Sequence, residues 1–263
     1  MPLIPALTTD TTPDVNADYL VMEKPAGTRK ILVKNLVGIQ DNAGYHNSIY
    51  RGKNLGSALT SAQATAISSG TFNDLYVGDY WTINGKTYRI ADFDYWYNHG
   101  DTAFTRHHIC VVSDSLGTAR MEATNTTANG YVGSEMFTTN LAEYKTMVET
   151  AFGAAHVGTH RSYLCNAATD GEATGFAWTD HSVGLMNEPM VYGSYIRSKP
   201  YPTDDTKQLA LFRLSDKDLV EHVWFWLRDP VSSTGFAIVS YSGIAHASGA
   251  SDSGSVRVAF PLI

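Results

Sequence analysis

The stretch YWTINGKTYRIA, residues Tyr80–Ala91, indicates the fold class most clearly. Its two halves are rich in aromatic and β-branched residues, and Asn84-Gly85 stands between them. Asn-Gly is the dipeptide that best accepts the positive φ angles of a two-residue hairpin turn. We therefore predict an antiparallel hairpin here. A further strand is predicted at His107–Val112, which also contains β-branched residues without a helical period.

A capping-box pattern predicts the first helix downstream of residue 56. Thr60 is followed three residues later by Gln63, and the short run Ala64–Ser68 comes next, with Gly70 closing it. In this pattern each of the two polar side chains bonds the backbone of the other residue, which stabilises the first turn of a helix. Glycine is the usual residue just beyond a helix end.

The clearest helix is predicted at Asn140–Phe152, with Asn140 as its N-cap. Its apolar residues recur on one face: Leu141, Tyr144, Met147, Val148 and Phe152. Further along, a shorter helix is predicted within His160–Ala168, and strands are predicted at Leu209–Leu214 and Val223–Leu227. Together these elements predict an α+β domain over residues 56–263.

A small module is predicted ahead of this domain. The strand-like runs Tyr19–Lys24 and Arg29–Lys34 flank the turn-forming stretch Pro25–Thr28, so we expect a hairpin. We assign residues 1–45 to an extended arm and this hairpin, and residues 46–55 to a linker. A lone hairpin is marginally stable in water, so it is expected to need a partner. Residues 1–23 contain no basic residue, which predicts no secretion signal.

Charge is scarce and unevenly distributed. Charged residues make up 17% of the 263 residues, and the net charge is −7. This balance offers no basic face for nucleic acid. The last 34 residues carry only Asp252 and Arg257, and half of them are Ser, Ala or Gly. Polar residues interrupt this segment throughout, so membrane insertion is not expected. A neutral segment rich in Ser and Gly, with Tyr241 and His246, is typical of an adaptable recognition surface; tightly packed core strands are the alternative.

Signals of catalysis are weak. The sequence has no P-loop, no GxGxxG and no GxSxG motif. Carboxylates for glycoside hydrolysis could come from Asp92, Asp94, Asp101 and Glu135, but their separations cannot be inferred from sequence. Aromatic residues surround Asp92 and Asp94, as in sugar sites, yet rings packed in the core are the favoured interpretation. We expect no enzymatic activity and no cofactor.

Metal binding is not expected either. His107 and His108 are adjacent, so on a strand they would face opposite sides of the sheet. His156 and His160 have helical spacing, but nearby glycines weaken a helix there and no HExxH motif is present. Cys110 and Cys165 fit no zinc spacing, and we expect two buried thiols.

The C-terminal sequence resembles a known signature. Its matching residues are Trp224-Phe225-Trp226-Leu227-Arg228-Asp229, Gly235-Phe236-Ala237, Gly243 and Gly254-Ser255-Val256-Arg257-Val258-Ala259-Phe260. The chain thereby resembles virion proteins of tailed bacteriophages that carry a C-type-lectin-like domain. That fold is shared by formylglycine-generating enzymes and by the variable proteins of diversity-generating retroelements. Residues 18–36, 54–81 and 130–136 are also similar to phage structural proteins. No cysteine follows Cys165, which argues against oxidase chemistry.

The resemblance implies a ligand-binding face built from the last strands and loops. Carried over by position, the expected ligand-binding residues are Ser233, Thr234, Ile238, Ser240, Tyr241, Ser242, Ile244, His246, Ser248, Ser251 and Asp252. The expected structural scaffold comprises Trp224, Trp226, Arg228, Arg257 and Phe260. We expect both arginines to tie strand and loop carbonyls together through their planar guanidinium groups, with the three aromatic residues packed around them.

The function implied is that of a non-catalytic protein of the virion surface. Residues 1–45 are expected to attach it to phage capsid or tail proteins, and the lectin-like domain to bind a glycan or protein of the host surface. The resemblance also implies a homo-oligomer, expected to be a trimer. Two alternatives stay open: a purely structural capsid or tail decoration protein, and a glycan depolymerase that uses carboxylates such as Asp92, Asp94 and Glu135.

Overall fold

The computed structural model describes residues 19–24, 27–32 and 42–263. The chain divides into two compact units between Asp41 and Asn42. In the first unit, β1 (Tyr19–Lys24) and β2 (Gly27–Leu32) pair as an antiparallel hairpin from Tyr19↔Leu32 to Lys24↔Gly27. The predicted hairpin is confirmed, although its second strand begins two residues earlier than expected. Its connection, residues 25–26, and the end predicted for its second strand, residues 33–34, lie outside the described residues.

The second unit is mixed α/β, with more strand than helix. Its strands are β3 (Asn54–Gly56), β4 (Tyr80–Ile83), β5 (Lys86–Phe93), β6 (Ile109–Ser113), β7 (Gly117–Ala119), β8 (His160–Thr169), β9 (Glu172–His181), β10 (Gly184–Leu185), β11 (Phe225–Ser232), β12 (Gly235–Val239), β13 (Ala245–Gly249), β14 (Gly254–Val256) and β15 (Val258–Leu262). Its α-helices are α1 (Ala43–His46), α2 (Ser61–Ser68), α3 (Leu141–Phe152), α4 (Glu188–Tyr192) and α5 (Ala210–Leu214). One π-helix (Met136–Asn140) and two 3₁₀ turns (Ala154–His156 and Asp216–Leu219) complete the described elements.

Three sheets organise the second unit. A six-stranded sheet has the order β10-β15-β6-β5-β4-β3, and a five-stranded sheet has the order β13-β12-β11-β14-β7. β8 and β9 form a separate two-stranded sheet. Pairing is antiparallel apart from β3 with β4 and β11 with β14. Because β14 and β15 are consecutive in the chain, the C-terminal segment contributes to both larger sheets.

Local sequence signals account for several of these elements. The β4–β5 hairpin turns at Asn84 and Gly85, whose φ angles are 51° and 73°. Both are positive, as a two-residue hairpin turn requires, so the predicted hairpin is confirmed. In α2 the Thr60 side chain accepts a hydrogen bond from the backbone of Gln63, and the Gln63 side chain accepts one from the backbone of Thr60. The predicted capping box is therefore confirmed.

Helix α3 begins one residue later than predicted and ends at the predicted residue, and it buries four of the five predicted apolar residues, with Met147 partly buried. Phe152 at its end meets the rings of Trp81, Tyr88 and Phe260, with centroids 5.1–5.7 Å apart, and so joins the helix to the six-stranded sheet. Asn140 is not a side-chain cap, however. The preceding π-helix gives it helical dihedral angles, and its amide donates a hydrogen bond to the Arg120 carbonyl instead.

Three predictions were wrong. Residues 160–169 form strand β8 rather than a helix, and they pair with β9 along their length. Residues 210–214 form helix α5 rather than a strand. The predicted linker at 46–55 belongs to the second unit, because His46 is buried and its ring bonds the Leu75 carbonyl, while β3 pairs with β4. The strand predicted at 107–112 is displaced to Ile109–Ser113.

Candidate binding cleft at the end of the C-terminal sheet

The predicted ligand-binding residues cluster around the hairpin of β12 and β13. The two strands pair with Ile238 opposite His246 and Val239 opposite Ala245, and residues 240–244 connect them. Cross-strand partners project from the same face of a sheet, so Ile238 and His246 lie side by side. Gly243, at φ +81°, provides the left-handed residue that the connection needs.

A cleft of about 390 Å³ opens at this end of the sheet. It is lined by Trp224, Ile238, Ser240, Tyr241, Ser242, Ile244 and His246. Six of these seven are predicted ligand-binding residues, and none carries a permanent charge. Tyr241 is 68% exposed and Ile244 is 65% exposed, whereas Ile238 is buried. The cleft thus combines a buried aliphatic side chain with exposed apolar walls.

Hydrogen bonds within the connection fix its polar groups. The Ser240 hydroxyl accepts a bond from the Ile244 amide at 3.1 Å and shares one with the Ser242 hydroxyl at 3.0 Å. His246 Nδ1 lies 2.9 Å from the Ala247 carbonyl oxygen. Because a carbonyl only accepts, Nδ1 carries the proton in this arrangement and Nε2 of the neutral ring is an acceptor. The cleft therefore offers hydroxyl groups and one imidazole acceptor.

Residues 240–244, which connect β12 to β13, contact other segments of the second unit. The Tyr192 hydroxyl donates to the Gly243 carbonyl at 3.1 Å. A β-carbon at position 243 would lie 3.2 Å from the Leu219 side chain and 3.3 Å from the Val220 side chain. A side chain at this position would require these neighbours to shift, and the positive φ angle independently favours glycine.

The other five predicted residues lie at the opposite end of the same strands. Ser233 and Thr234 connect β11 to β12, while Ser248, Ser251 and Asp252 lie on β13 and the loop after it. A five-residue strand spans about 14 Å, so these residues are outside the cleft. Their side chains serve local structure: Asp252 accepts hydrogen bonds from the Ser248 hydroxyl at 2.6 Å and from the Gly249 amide at 2.9 Å.

Asn125 was not predicted and organises this second end. Its side-chain oxygen accepts bonds from both the amide and the hydroxyl of Ser251, at 3.0 and 2.8 Å. The residue is 126 positions away in sequence, and no local pattern around it indicates this contact. The structure therefore separates the eleven predicted residues into six at the cleft and five at the opposite end of the hairpin, where Ser251 bonds Asn125 and the Ser233 carbonyl accepts a bond from the Thr127 amide.

Strand β13 is an edge of its sheet, and side chains cover part of that edge. Arg197 donates to the Ala245 carbonyl at 3.2 Å, His246 to the Ala247 carbonyl, and the Gly249 amide bonds Asp252. Such coverage disfavours pairing with a strand of another chain. A ligand at this end of the sheet would therefore contact side chains of the cleft in preference to the backbone of β13.

Both scaffold arginines are buried, and each bonds a backbone carbonyl as expected. Arg257 donates to the carbonyls of Ser113 and Asp218, both at 2.8 Å, and lies 3.2 Å from the Glu221 carboxylate. Arg228 donates to the Leu185 carbonyl and forms a 2.5 Å ion pair with Asp205. Burial is the largest single effect on the pKa of Arg228 and lowers it, but the charge and hydrogen bond of Asp205, together with Tyr201 and Asp229, outweigh burial, and the pKa is raised.

The aromatic residues assigned to the scaffold pack elsewhere than expected. The Arg257 guanidinium lies over the rings of Phe212 and Phe225, at 5.4 and 5.2 Å. Phe260 packs against Phe152 and Tyr88, while the Trp226 indole donates to the Ala119 carbonyl. Trp224 meets the Trp226 ring edge-on and also lines the cleft, so its exposed surface belongs with the binding residues.

The candidate catalytic carboxylates have separate partners. Asp92 is buried, which raises its pKa to about 6, and it accepts bonds from Asn47 and from the Ala210 amide. Asp94 bonds the ring of His107 and the amide of His108, and Glu135 bonds Arg120. Asp101 lies 3.3 Å from the Arg161 guanidinium. The rings of Phe93, Tyr95 and Trp96 are buried, in agreement with the core interpretation of this stretch.

Within the described residues, no group of three or more His, Cys, Asp or Glu side chains could hold a metal ion. His107 and His108 both precede β6, and their Nδ1 atoms lie 2.8 and 3.8 Å from the same Asp94 carboxylate, so the predicted strand geometry does not apply to this pair. Cys110 and Cys165 are both buried and free. No helix in residues 19–24, 27–32 and 42–263 is long and apolar enough to cross a membrane.

Comparisons with protein-family models, with curated proteins and with solved structures each found no match. The fold and the cleft define the protein as a mixed α/β chain with an uncharged cleft at the end of its C-terminal sheet.

Proposed function

We propose that this protein is a non-catalytic surface protein of a phage virion that adheres to the host surface through the C-terminal cleft. The second unit would be a C-type-lectin-like domain, and residues 1–45, most of which belong to the first unit, would attach the chain to capsid or tail proteins. The observation that carries the proposal is the cleft itself. Its lining is uncharged, its rings are exposed, and six residues that the sequence resemblance implicates meet there.

The chemistry of the cleft favours a neutral glycan as the ligand. A pyranose ring presents an apolar C–H face, which suits the exposed ring of Tyr241 and the side chain of Ile244. Its hydroxyl groups can bond Ser240, Ser242 and His246 Nε2. An anionic group here would lose hydration without gaining a cation among the lining residues, so acidic sugars are disfavoured.

Oligomerisation would make weak single-site binding sufficient. Several linked copies raise the overall affinity by about 10²–10⁴ without new contacts. A trimer on the virion surface, as the sequence resemblance implies, would present three clefts to the same host surface.

The test is a glycan array and a host-cell binding assay with the purified full chain. We expect binding to neutral glycans, and Tyr241→Ala should weaken it at least about tenfold, the effect of a central aromatic contact. Ser233→Ala, at the opposite end of the sheet, is the matched control and should bind like the wild type. Equal binding by both variants would place the ligand elsewhere.

Two other outcomes would replace the proposal. Shortening of a host polysaccharide by the purified chain would support a depolymerase. Binding to virion proteins through the cleft, with no binding to host glycans or cells, would support a decoration protein.

A further inference from the structure

A second cavity, of about 400 Å³, lies between the β4–β5 hairpin and the adjoining side of helix α3. It is lined by Asn84, Lys86, Tyr88, Glu143, Thr146, Met147 and Thr150. The four helical residues follow one another at intervals of three, one and three, which places them along one face. From residue 143 to residue 150 the helix advances about 10 Å, so the cavity is an elongated groove. Its volume lies within the range of small-molecule sites.

Tyr88 gives this groove a buried polar group. Only 1% of its surface is exposed, and its ring is held edge-on by Phe152 and Phe260. Among the described residues, none forms a hydrogen bond with its hydroxyl. Two of the other buried tyrosines in the same unit are paired: the Tyr95 hydroxyl donates to the Lys207 carbonyl at 2.7 Å, and the Tyr131 hydroxyl accepts from the Leu185 amide at 2.8 Å. The hydroxyl of buried Tyr144, like that of Tyr88, has no hydrogen-bond partner among the described residues. The Tyr88 hydroxyl is not fully enclosed, so on the side of the groove it can exchange water for a ligand oxygen.

Most other polar groups of the groove are already engaged. The Lys86 ammonium donates to the Ser115 carbonyl at 3.2 Å. The hydroxyls of Thr146 and Thr150 donate to helix carbonyls one turn earlier, at 3.0 and 2.7 Å. Asn84 and Glu143 are exposed at the rim. The interior is therefore mainly the Tyr88 ring, the Met147 thioether and the carbon atoms of the threonines and Lys86, with the Tyr88 hydroxyl as its free polar group.

We propose that this groove binds a small neutral molecule made of an apolar ring that carries one hydroxyl or carbonyl oxygen. The ring would lie against Met147 and the threonine methyl groups, and its oxygen would bond the Tyr88 hydroxyl. Burial raises the pKa of Tyr88, so the phenol stays protonated and can donate to either kind of oxygen. The site shares no lining residue with the C-terminal cleft, so it is independent of the proposed adhesion function.

Methionine-methyl NMR tests the proposal, with phenol and toluene as probes of similar size, since toluene has a methyl group in place of the phenol hydroxyl. In the wild-type chain both probes should shift the Met147 methyl signal, which Met147→Leu identifies. Phenol should bind about fivefold more tightly than toluene, since one neutral hydrogen bond contributes roughly 1 kcal/mol. In Tyr88→Phe, toluene should bind as before and the advantage of phenol should disappear.

Tyr88→Phe removes a single oxygen, and the dispersion of the other methionine signals reports that the chain remains folded. Tyr241→Phe, at the other site, should leave both affinities unchanged. The proposal is overturned if neither probe shifts the Met147 signal at millimolar concentration. It is also overturned if phenol keeps its advantage over toluene in Tyr88→Phe.

Discussion

Two histidines on strands of the same unit have opposite surroundings. His246, on β13, is exposed at the C-terminal cleft, and its Nδ1 is paired with the Ala247 carbonyl. His160, on β8, is 2% exposed, and within the described residues neither of its ring nitrogens has a hydrogen-bond partner. Its ring packs 4.1 Å from that of Trp96 and 4.2 Å from that of His181.

His246 is therefore accessible to a ligand, whereas His160 makes the stability of the fold depend on pH. At the cleft, the outward nitrogen of His246 can exchange water for a ligand hydroxyl. In the core, burial lowers the pKa of His160 well below its ordinary value, and neighbouring His181, His108 and Arg228 lower it further. The buried ring therefore stays neutral in the folded chain. The following changes act on one region or the other, in decreasing order of expected effect.

The largest expected effect is the pH dependence caused by His160. Below about pH 6.5, the ordinary histidine pKa, the unfolded chain binds a proton at this position that the folded chain does not. Stability therefore falls as the pH drops through this value. At pH 5 the loss from this residue amounts to roughly 2 kcal/mol. The test compares the free energy of unfolding of His160→Phe with that of the wild type at each pH. We expect this difference to favour the variant by roughly 2 kcal/mol more at pH 5 than at pH 8.

Urea denaturation at both pH values measures this difference, and any change in packing caused by phenylalanine cancels between them. His246→Phe is the matched control, because its ring is exposed, and should show no such difference. A wild-type-like pH dependence in His160→Phe would mean that the buried ring is protonated in the folded chain.

Gly243→Ala should affect both stability and binding at the cleft. The φ angle of +81° is unfavourable for alanine, and the new methyl group would press on Leu219 and Val220. We expect a loss of about 1–2 kcal/mol in the free energy of unfolding. Glycan affinity should fall about tenfold, because the connection carries Tyr241 and Ile244. Chemical denaturation and glycan titration of the same variant measure the two effects.

Gly85→Ala is the control for Gly243→Ala. Its φ angle is also positive, at 73°, but the position is open and remote from the cleft lining. It should lose stability without losing glycan affinity. If Gly243→Ala binds like the wild type, the shape of the connection is unimportant for recognition.

Asp252→Ala should affect stability alone. It removes the acceptor of the Ser248 hydroxyl and the Gly249 amide, both exposed to solvent. The expected loss is about 1 kcal/mol in the free energy of unfolding. Binding should be unchanged, since Asp252 lies at the opposite end of the sheet. Reduced glycan affinity in this variant would extend the binding surface beyond the cleft.

Local signals in the sequence predicted those elements that depend on local chemistry. Asn84-Gly85, the Thr60–Gln63 capping box and the apolar face of α3 each act within a few residues. Strand β8 was missed because its buried face includes the polar residues His160 and Ser162 as well as Leu164. The sequence therefore lacks the alternation of apolar and polar residues that indicates a strand. Helix α5 was missed because five residues are too few to distinguish a helical period from an apolar strand.

The binding site could be predicted as a segment but not as a surface. The neutral C-terminal composition indicated strands that line the candidate cleft, yet it could not separate residues 240–246 from residues 233–234 and 248–252. That division depends on which strand ends meet, and therefore on the register of β12 and β13. The contribution of Trp224 depends on tertiary packing, as does the role of Asn125 in the second loop cluster, and neither leaves a local pattern.

The smallest expected effect comes from His246→Phe. The variant keeps an aromatic ring in the cleft and removes the acceptor nitrogen, so it isolates the hydrogen bond to the glycan. One neutral hydrogen bond contributes about 0.5–1.5 kcal/mol, which corresponds to a roughly 2- to 13-fold loss of affinity. Isothermal titration with the best glycan of the array measures it. His246→Gln, whose side-chain oxygen can accept a bond, should recover part of the affinity. If the His246→Phe variant binds as tightly as the wild type, the ligand contacts the rings of the cleft and does not bond the imidazole nitrogen. His246 and His160 would then differ only in how deeply they are buried.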